Sequence, residues 1–441
     1  MTLVSGWGRF PVVDSELLRP RSFEAVGEAV VTGSVARGNG RAYGDAAIGA
    51  ARTIAMTGFD RVRSFDPVTG RIRLEAGVLL SDLIDTFGPR GFLPFVVPGT
   101  RFVSVGGAIA ADVHGKNHHC EGGFGRYVDS ILLRTGQGET IEASREQNSD
   151  AFFATAGGMG LTGVILEATM RLRPVETGWI RERVISASDL DAAMRALDAG
   201  DSATYSVAWI DCAARGSDLG RSLIYLGEHA RTGEIADGAG AFPAGKNPGL
   251  AVPVDLPSMT LNRYSIRAFN ELYYRMGARR AGGGHVVSLY PYFFPLDSIA
   301  DWNRIYGRRG FLQHQCVIPE LGARAVLGEI LDRVARRGDA SFLAVLKKLG
   351  QGDGILSFPL PGYTLALDFP VKGDILNFLD EIDRLVVAAG GRLYLAKDAR
   401  QSRATFEAGY PALRRFNAIR KALDPAGNIR SKLSQRLFDE V

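Results

Sequence analysis

Glycine is the residue that most constrains what this chain can fold into. It supplies 54 of 441 residues, or 12%, against a usual ~7%. The excess follows no Gly-X-Y period, which excludes collagen. It is not gathered into Gly/Ser tracts, so it is not linker. What remains is backbone that must take φ > 0 or pass close to something bulky. The distribution is uneven: 26 glycines fall in residues 1–173 and 28 in residues 174–441.

The other bulk properties are ordinary. Hydrophobic residues are 46% and charged residues 23%, as in a soluble globular protein. Lys+Arg number 52 and Asp+Glu 48, a net charge of +4. That charge is spread along the chain with no basic stripe, so no nucleic-acid partner is expected. The pairs Arg279-Arg280 and Arg308-Arg309 read as solvated surface, or as help in holding an anion or a phospholipid surface. Cys120, Cys212 and Cys316 form no CxxC, which argues against a disulfide framework and a Cys-rich zinc site. The start MTLVSGWGRFPVVD lacks a signal-peptide pattern, and no run reaches ~18 apolar residues. The expected location is cytoplasmic, with peripheral contact at the inner face of the membrane left open.

Short strand-like runs fill the first part: TIAMTGF, RIRLEAGV, SILLRTGQG and GVILEATMRLRPV. Helical patterns at Ser81–Phe87 and Asp150–Thr155 each follow a Ser or Asp cap. This is α+β rather than a regular βαβ series. Pro174 closes a run, and longer strands follow to about residue 391: YSVAWID, SLIYLGE, VVSLYPYFF, FLQHQCVIP and TLALDFPV. Helices LDAAMRALDA, GARAVLGEILDRVARR and LNFLDEIDRLVVAAG are interspersed. In the last, apolar residues recur with a 3.6 period. An antiparallel sheet with helices on one face is expected, as a substrate domain over 179–391. Residues 230–258, rich in Gly, Ala and Pro without period, are expected to form a mobile loop or lid. The tail is helical around a DPAGNI turn.

Three glycine-rich segments carry the chemistry. ARGNGRAYGDAA (36–47) could close backbone N–H groups on a phosphate as an anion nest. It lacks the third glycine of GxGxxG and any GK[ST]. In PGTRFVSVGGAIAADVHGKNHHCEGGFG (98–125), the stretch SVGGAIAADVHGKN looks too poor in bulk to be core, which fits backbone along an extended dinucleotide. His114, His118 and His119 raise a metal reading, but carboxylate or thiolate ligands at the right spacing are missing apart from Cys120, so no metal is expected. His114 and Lys116 instead read as polar groups facing a cofactor or substrate. In ATAGGMGLTGVILEATMRL (154–172), Gly157, Gly158, Gly160 and Gly163 precede a strand, again as for a flat or charged ligand.

Together these segments resemble the PCMH-type FAD-binding domain of the vanillyl-alcohol-oxidase superfamily. The resemblance extends through YSVAWID, GFLQHQCVIP, SFLAVLKKLG, LSFPLPGYTLALDFP and GGRLYLAKDAR, and is strongest to the branch that oxidises polyprenylphosphoryl-β-D-ribose. It implies a two-part FAD-binding domain from residues 1–178 and a C-terminal return at 392–441. The implied reaction takes the 2-hydroxyl of the lipid-linked ribose to a 2-keto sugar. That is the first half of an epimerisation to an arabinose donor for cell-wall or glycan synthesis, completed by a short-chain dehydrogenase/reductase partner. The alternative is an alditol or aldonolactone oxidase-like enzyme acting on a free or secondary-metabolite sugar.

The resemblance implies FAD contacts at Arg37, Gly38, Asn39, Gly40, Arg41, Ala42 and Tyr43 in the first loop. In the second they are Pro98, Gly99, Thr100, Val105, Gly106, Gly107, Ala110, His114, Gly115 and Asn117. Gly158, Gly160, Gly163, Val164 and Ile165 follow in the third, with Lys397 near the C-terminus. Some relatives attach FAD through a histidine where Arg41 stands; arginine cannot form that bond, so non-covalent FAD is expected. Lys116, Gln313, Gln315, Lys347 and Trp209 are expected to meet the sugar. Gln313 and Gln315, two apart on a strand, share one face, while Trp209 has core packing as its rival reading. Lys397 would stabilise charge on a reduced flavin. His114, Lys397 and Tyr43 are all candidates for the base that takes the hydroxyl proton. Ala366, Phe293, Val207 and Thr364 stand where relatives carry cysteine, tyrosine, serine and asparagine, so thiol-directed inhibitors of the family should fail here.

Overall fold

The strand Val164–Pro174 ends at the proline singled out above, and the chain changes sheet there. The computed structural model describes residues 2–245, 248–257, 260–339 and 342–438. Before Pro174 lie two sheets. The smaller orders Thr2–Ser5, Val12–Leu18, Arg52–Ala55 and Ser34–Arg37, with parallel pairing among the last three. The larger orders Val62–Asp66, Arg71–Glu75, Val164–Pro174, Val128–Arg134 and Thr140–Ser144, and Phe92–Pro94 also pairs with Val164–Pro174. Helices Leu80–Phe87 and Ser149–Thr155 form where the sequence places them. Their caps differ: Leu79 with Asp82 reaching back in the first, and Asn148 in the second.

From Trp179 onward the chain builds one antiparallel eight-stranded sheet. Its order is Gly284–Ser288, Trp179–Ala187, Ser222–His229, Tyr205–Ile210, Ala344–Leu349, Gly362–Pro370, Phe311–Pro319 and Arg392–Leu393. Helices Leu190–Ala199, Ala323–Arg337 and Ile375–Ala388 cover one face and share a core with it. Ile375, Leu379, Ile382 and Val386 are fully buried there, each worth about 1.5–3 kcal/mol. The period-2 alternation of the strands decides what faces the other way. Along Phe311–Pro319, Leu312, Cys316 and Ile318 join the helix-side core and His314 bonds Asp383 on a helix, while Gln313 and Gln315 point opposite. Thus one face of the sheet is dry and covered by these three helices, while the other carries Gln313 and Gln315 at one end and Val184, Trp209 and Leu223, packed by Tyr274, at the other.

Three readings change, and a fourth segment gains detail. VVSLYPYFF is not one strand: Gly284–Ser288 is strand, and Leu289–Phe293 is a helix capped by Ser288. A sixteen-residue helix, Arg263–Ala278, was not anticipated. The stretch 105–110 is helical, and Val105, Ala108 and Ile109 are fully buried in a hydrophobic core, so small residues there do serve packing. Within 230–258, a turn at Thr232–Glu234 and a two-residue strand Leu250–Ala251 are present, while residues 246, 247 and 258 lie outside the described residues, as does Ser341 of SFLAVLKKLG.

Candidate active site

The first two glycine loops touch each other. A Cβ on Gly38 would sit 2.0 Å from Ser104 Oγ, and the Asn39 side-chain amide donates to the Phe102 carbonyl at 2.8 Å. Gly40 takes φ +65, a conformation that favours glycine. A cleft of about 480 Å³ opens beside Asn39 and Gly40, walled also by Gly6, Trp7 and Arg304. Arg37 also walls this cleft and donates to the Ser5 and Ala47 carbonyls at 2.7 and 3.3 Å. Arg41 lies over the Trp7 ring at 4.0 Å, and its Nε is buried without a partner among the described residues. Gly99 has open space over it, whereas a Cβ on Gly106 would come 2.9 Å from that of Ala76.

The loop around Tyr43 is pinned to the C-terminal return. The Tyr43 amide donates to the Ala396 carbonyl at 2.9 Å, and a Cβ on Gly44 would come 1.7 Å from the Asp398 carbonyl oxygen. Lys397 Nζ therefore lands 3.5 Å from the centre of the Tyr43 ring. Sheet register supplies the rest. Gln313 stands opposite Asp368, Gln315 opposite Ala366, and Lys347 opposite Thr364. The Gln313 amide donates to Asp368 at 2.6 Å, and the Tyr306 hydroxyl donates to the same carboxylate at 3.2 Å. The Gln315 amide donates to His114 Nε2 at 2.9 Å and to Thr364 Oγ1 at 3.2 Å. Lys116 donates to the Tyr292 carbonyl and lies 4.2 Å from that ring.

Tyr43, Lys116, Gln313, Lys347 and Lys397 all keep uncovered surface, although the four ionisable groups among them are enclosed deep in the molecule. These side chains line an internal gap instead of closing on each other. Lys347 has no acidic partner among the described residues, and burial lowers its ammonium to about 8. Burial likewise lowers Lys116 to about 7, against the pull of Glu182. Burial pushes the Asp368 carboxyl up and the Lys397 ammonium down, while their mutual attraction works against both shifts. Burial and nearby lysines hold His114 well below its usual range, so it is neutral at neutral pH. Burial raises the Tyr43 phenol far above its usual value.

The expected residues divide. His114, Lys116, Tyr43, Gln313, Gln315, Lys347 and Lys397 gather around the gap. Of the two histidines weighed only as metal ligands, His118 stays 6.2 Å from the His114 ring and accepts from the Gly350 amide, while His119 bonds the Ala203 carbonyl. Trp209 packs against Tyr273 at 4.7 Å with its indole N–H on the Phe342 carbonyl at 3.0 Å. Val164 and Ile165 enter two separate hydrophobic cores, and a Cβ on Gly158 would meet the Ala154 carbonyl at 2.0 Å. Asp368 and Tyr306 were missed. The available signal for Asp368 was an acid inside the apolar strand TLALDFP, on the face of Thr364 and Ala366.

The arrangement fits FAD. The paired glycine loops beside an open cleft suit the diphosphate, and a gap bearing three lysines and one acid suits an isoalloxazine that becomes anionic on reduction. Arg41, Asn39, Gly40, Gly99 and Gly107 are residues that could hold the diphosphate end, and Tyr43, His114 and Lys397 ones that could meet the ring. Comparison with known proteins agrees. An FAD binding domain family matches residues 19–144, and a D-arabinono-1,4-lactone oxidase family matches residues 366–437. The decaprenylphosphoryl-beta-D-ribose oxidase of Mycolicibacterium smegmatis is 37% identical over 98% of this chain and 96% of its own. An uncharacterized Streptomyces coelicolor protein is 35% identical over 82% of this chain and 100% of its own. The L-gulonolactone oxidase of Bos taurus is 24% identical over 91% of this chain and 88% of its own. The chain belongs to the decaprenylphosphoryl-β-D-ribose oxidase family of FAD-dependent oxidoreductases, within the vanillyl-alcohol-oxidase superfamily.

Proposed function

We propose that this enzyme oxidises the 2-hydroxyl of a polyprenylphosphoryl-β-D-ribose to the 2-keto sugar. The observation that carries the reading is Lys347: a buried ammonium with no acidic partner among the described residues, on the same sheet face as Gln313 and Gln315. A phosphoryl group would compensate that charge, and the two amides suit sugar hydroxyls. A free lactone would leave Lys347 unpaired. The match of residues 366–437 to lactone oxidases keeps a free-sugar oxidase as the second reading. We take 1–178 with 392–441 as the flavin domain and 179–391 as the substrate domain. Residues between 394 and 438 share a core with Ala46, Ala154 and Leu161, which supports the return; Val317, Leu349, Leu356 and Phe358 join the same core, and Arg392–Leu393 still pairs with the substrate sheet.

Bound FAD would supply the hydride acceptor. The chain's own part is to place the sugar and move a proton. His114 Nε2 is occupied by the Gln315 amide and its imidazolium is disfavoured, and Tyr43 does not ionise near neutrality. Of the three candidates Tyr43, His114 and Lys397, we take the Lys397 amine as the proton acceptor, pushed towards the free base by burial and held back by the charge of Asp368. Taking the hydroxyl proton restores the ammonium over Tyr43 as negative charge develops beside it. In this reading the ketone product passes to a reductase, taken to be a short-chain dehydrogenase partner, and the lipid-borne substrate favours work at a membrane surface, taken to be the cytoplasmic face. No helix among the described residues is long and apolar enough to cross one.

The test is an anaerobic screen of flavin absorbance. Decaprenylphosphoryl ribose should bleach the flavin, while xylitol, sorbitol and gulonolactone should not. Bleaching by gulonolactone alone sinks the lipid-linked reading. Acid precipitation should release the dye, and dye retained in the pellet would refute non-covalent binding.

A further inference from the structure

The helix Arg263–Ala278 is built inside out. Only Ile266 and Asn270 along it are buried. Its solvent face carries Tyr264, Leu272, Met276 and Phe269, exposed to 76%, 60%, 58% and 44%. Leu272, Met276 and Phe269 fall three or four apart and so form one stripe. Scattered apolar residues on a surface mean nothing, but a contiguous stripe on one helix marks a contact.

The charges around the stripe say what the contact is with. Arg263, Arg267, Arg275, Arg279 and Arg280 lie on or next to the helix, all but one of its charged groups. The single acid, Glu271, is held by Arg221 and Arg275. Arg263, Arg267 and Arg279 have no acidic partner among the described residues. Apolar and tyrosine side chains flanked by arginines match the boundary of an anionic bilayer, where rings sit among headgroups and guanidinium groups meet phosphates. A second copy docked through a two-fold axis would instead bring like charges together.

Two half-covered rings at the edge of the stripe tie this surface to the site. The Phe269 ring meets Phe342 at 4.8 Å, and the Tyr273 ring meets Trp209 at 4.7 Å. Trp209 pairs with Val345, two residues before Lys347 on the same sheet face. We propose that Arg263–Ala278 lies on an anionic phospholipid surface and brings the substrate end of the sheet to the membrane. The use of that contact, though not the contact itself, rests on the lipid-linked substrate proposed above.

The test is co-sedimentation of the flavin-loaded enzyme with vesicles of phosphatidylcholine plus phosphatidylglycerol, and of phosphatidylcholine alone. The enzyme should sediment with the anionic vesicles. L272S/M276S should lower its partition by about tenfold or more, and R267E/R279E should abolish the preference for anionic lipid. All four positions are exposed, so unchanged thermal melting should accompany both variants. No sedimentation of the parent enzyme, or equal sedimentation of L272S/M276S, overturns the proposal. A concentration-dependent dimer that the same variant dissolves, without vesicle binding, overturns it in favour of a second copy. Vesicle binding without bleaching by any lipid-linked ribose supports the surface and sinks the substrate reading alone.

Discussion

Lys397 and Asp368 come from different elements and act on each other through their charges, and each would be costlier to bury without the other. Their attraction sets the pH at which the pair can accept a proton. Removing the carboxylate in Asp368→Asn takes away the charge that favours the ammonium, so the Lys397 amine becomes free at lower pH. The ascending limb of the flavin-reduction rate against pH should then move about one unit towards acid. Stopped-flow traces across the neutral range would show this, and an unmoved or alkaline-shifted limb would exclude Asp368 from the role. Lys397→Met removes the charge altogether. It should slow reduction by ~10² or more and lower the flavin potential by roughly 30–60 mV, at ~30 mV per 1.4 kcal/mol. Redox titration of the bound flavin reads that second effect apart from turnover.

At the scale of elements, the first glycine loop is shaped as much by protein neighbours as by space for a ligand. Gly44 shows this best, because the Asp398 carbonyl occupies the place of any side chain. Gly44→Ala should push the loop off the C-terminal return, lowering stability by about 2–3 kcal/mol and weakening FAD retention, as thermal melts with and without added FAD would report. A melt equal to that of the parent enzyme would mean the two segments separate freely. The same distinction explains which sequence signals were legible. The alternation in FLQHQCVIP correctly put Gln313 and Gln315 on one face, since strand geometry is local. Asp368 escaped notice because its partners are set by the register between two strands nearly sixty residues apart. Helix Arg263–Ala278 escaped because its apolar residues face both inward and outward, which blurs a period that normally marks a single buried side.

Over the whole molecule, the last helix closes the site. Arg436, on Lys432–Leu437, pairs with Asp45 at 3.0 Å and with Asp398 at 2.9 Å, joining the first loop to the segment bearing Lys397. Both acids are buried; burial raises Asp45 to about 6 even though Arg436 pulls it down. Arg436→Ala would leave two buried carboxylates without their cation and should cost about 3 kcal/mol. Denaturant titration measures that cost, and a loss within error would show that the two acids find other partners.

The residues alone were enough to indicate an α+β chain and three glycine loops suited to a flat or charged ligand, because glycine spacing and strand alternation are local; the flavin and the family followed from the resemblance of whole motifs. They also placed the candidate lysines and glutamines near one another in function. Tertiary structure decided which of them act together. It tied His118 to the Gly350 amide and His119 to the Ala203 carbonyl, occupied His114 with Gln315, brought Asp368 under the influence of the Lys397 charge, and left Lys347 without an acid among the described residues. The physical reason is that burial and pairing of charge depend on strand register and on where the chain returns, and neither is written in any single segment.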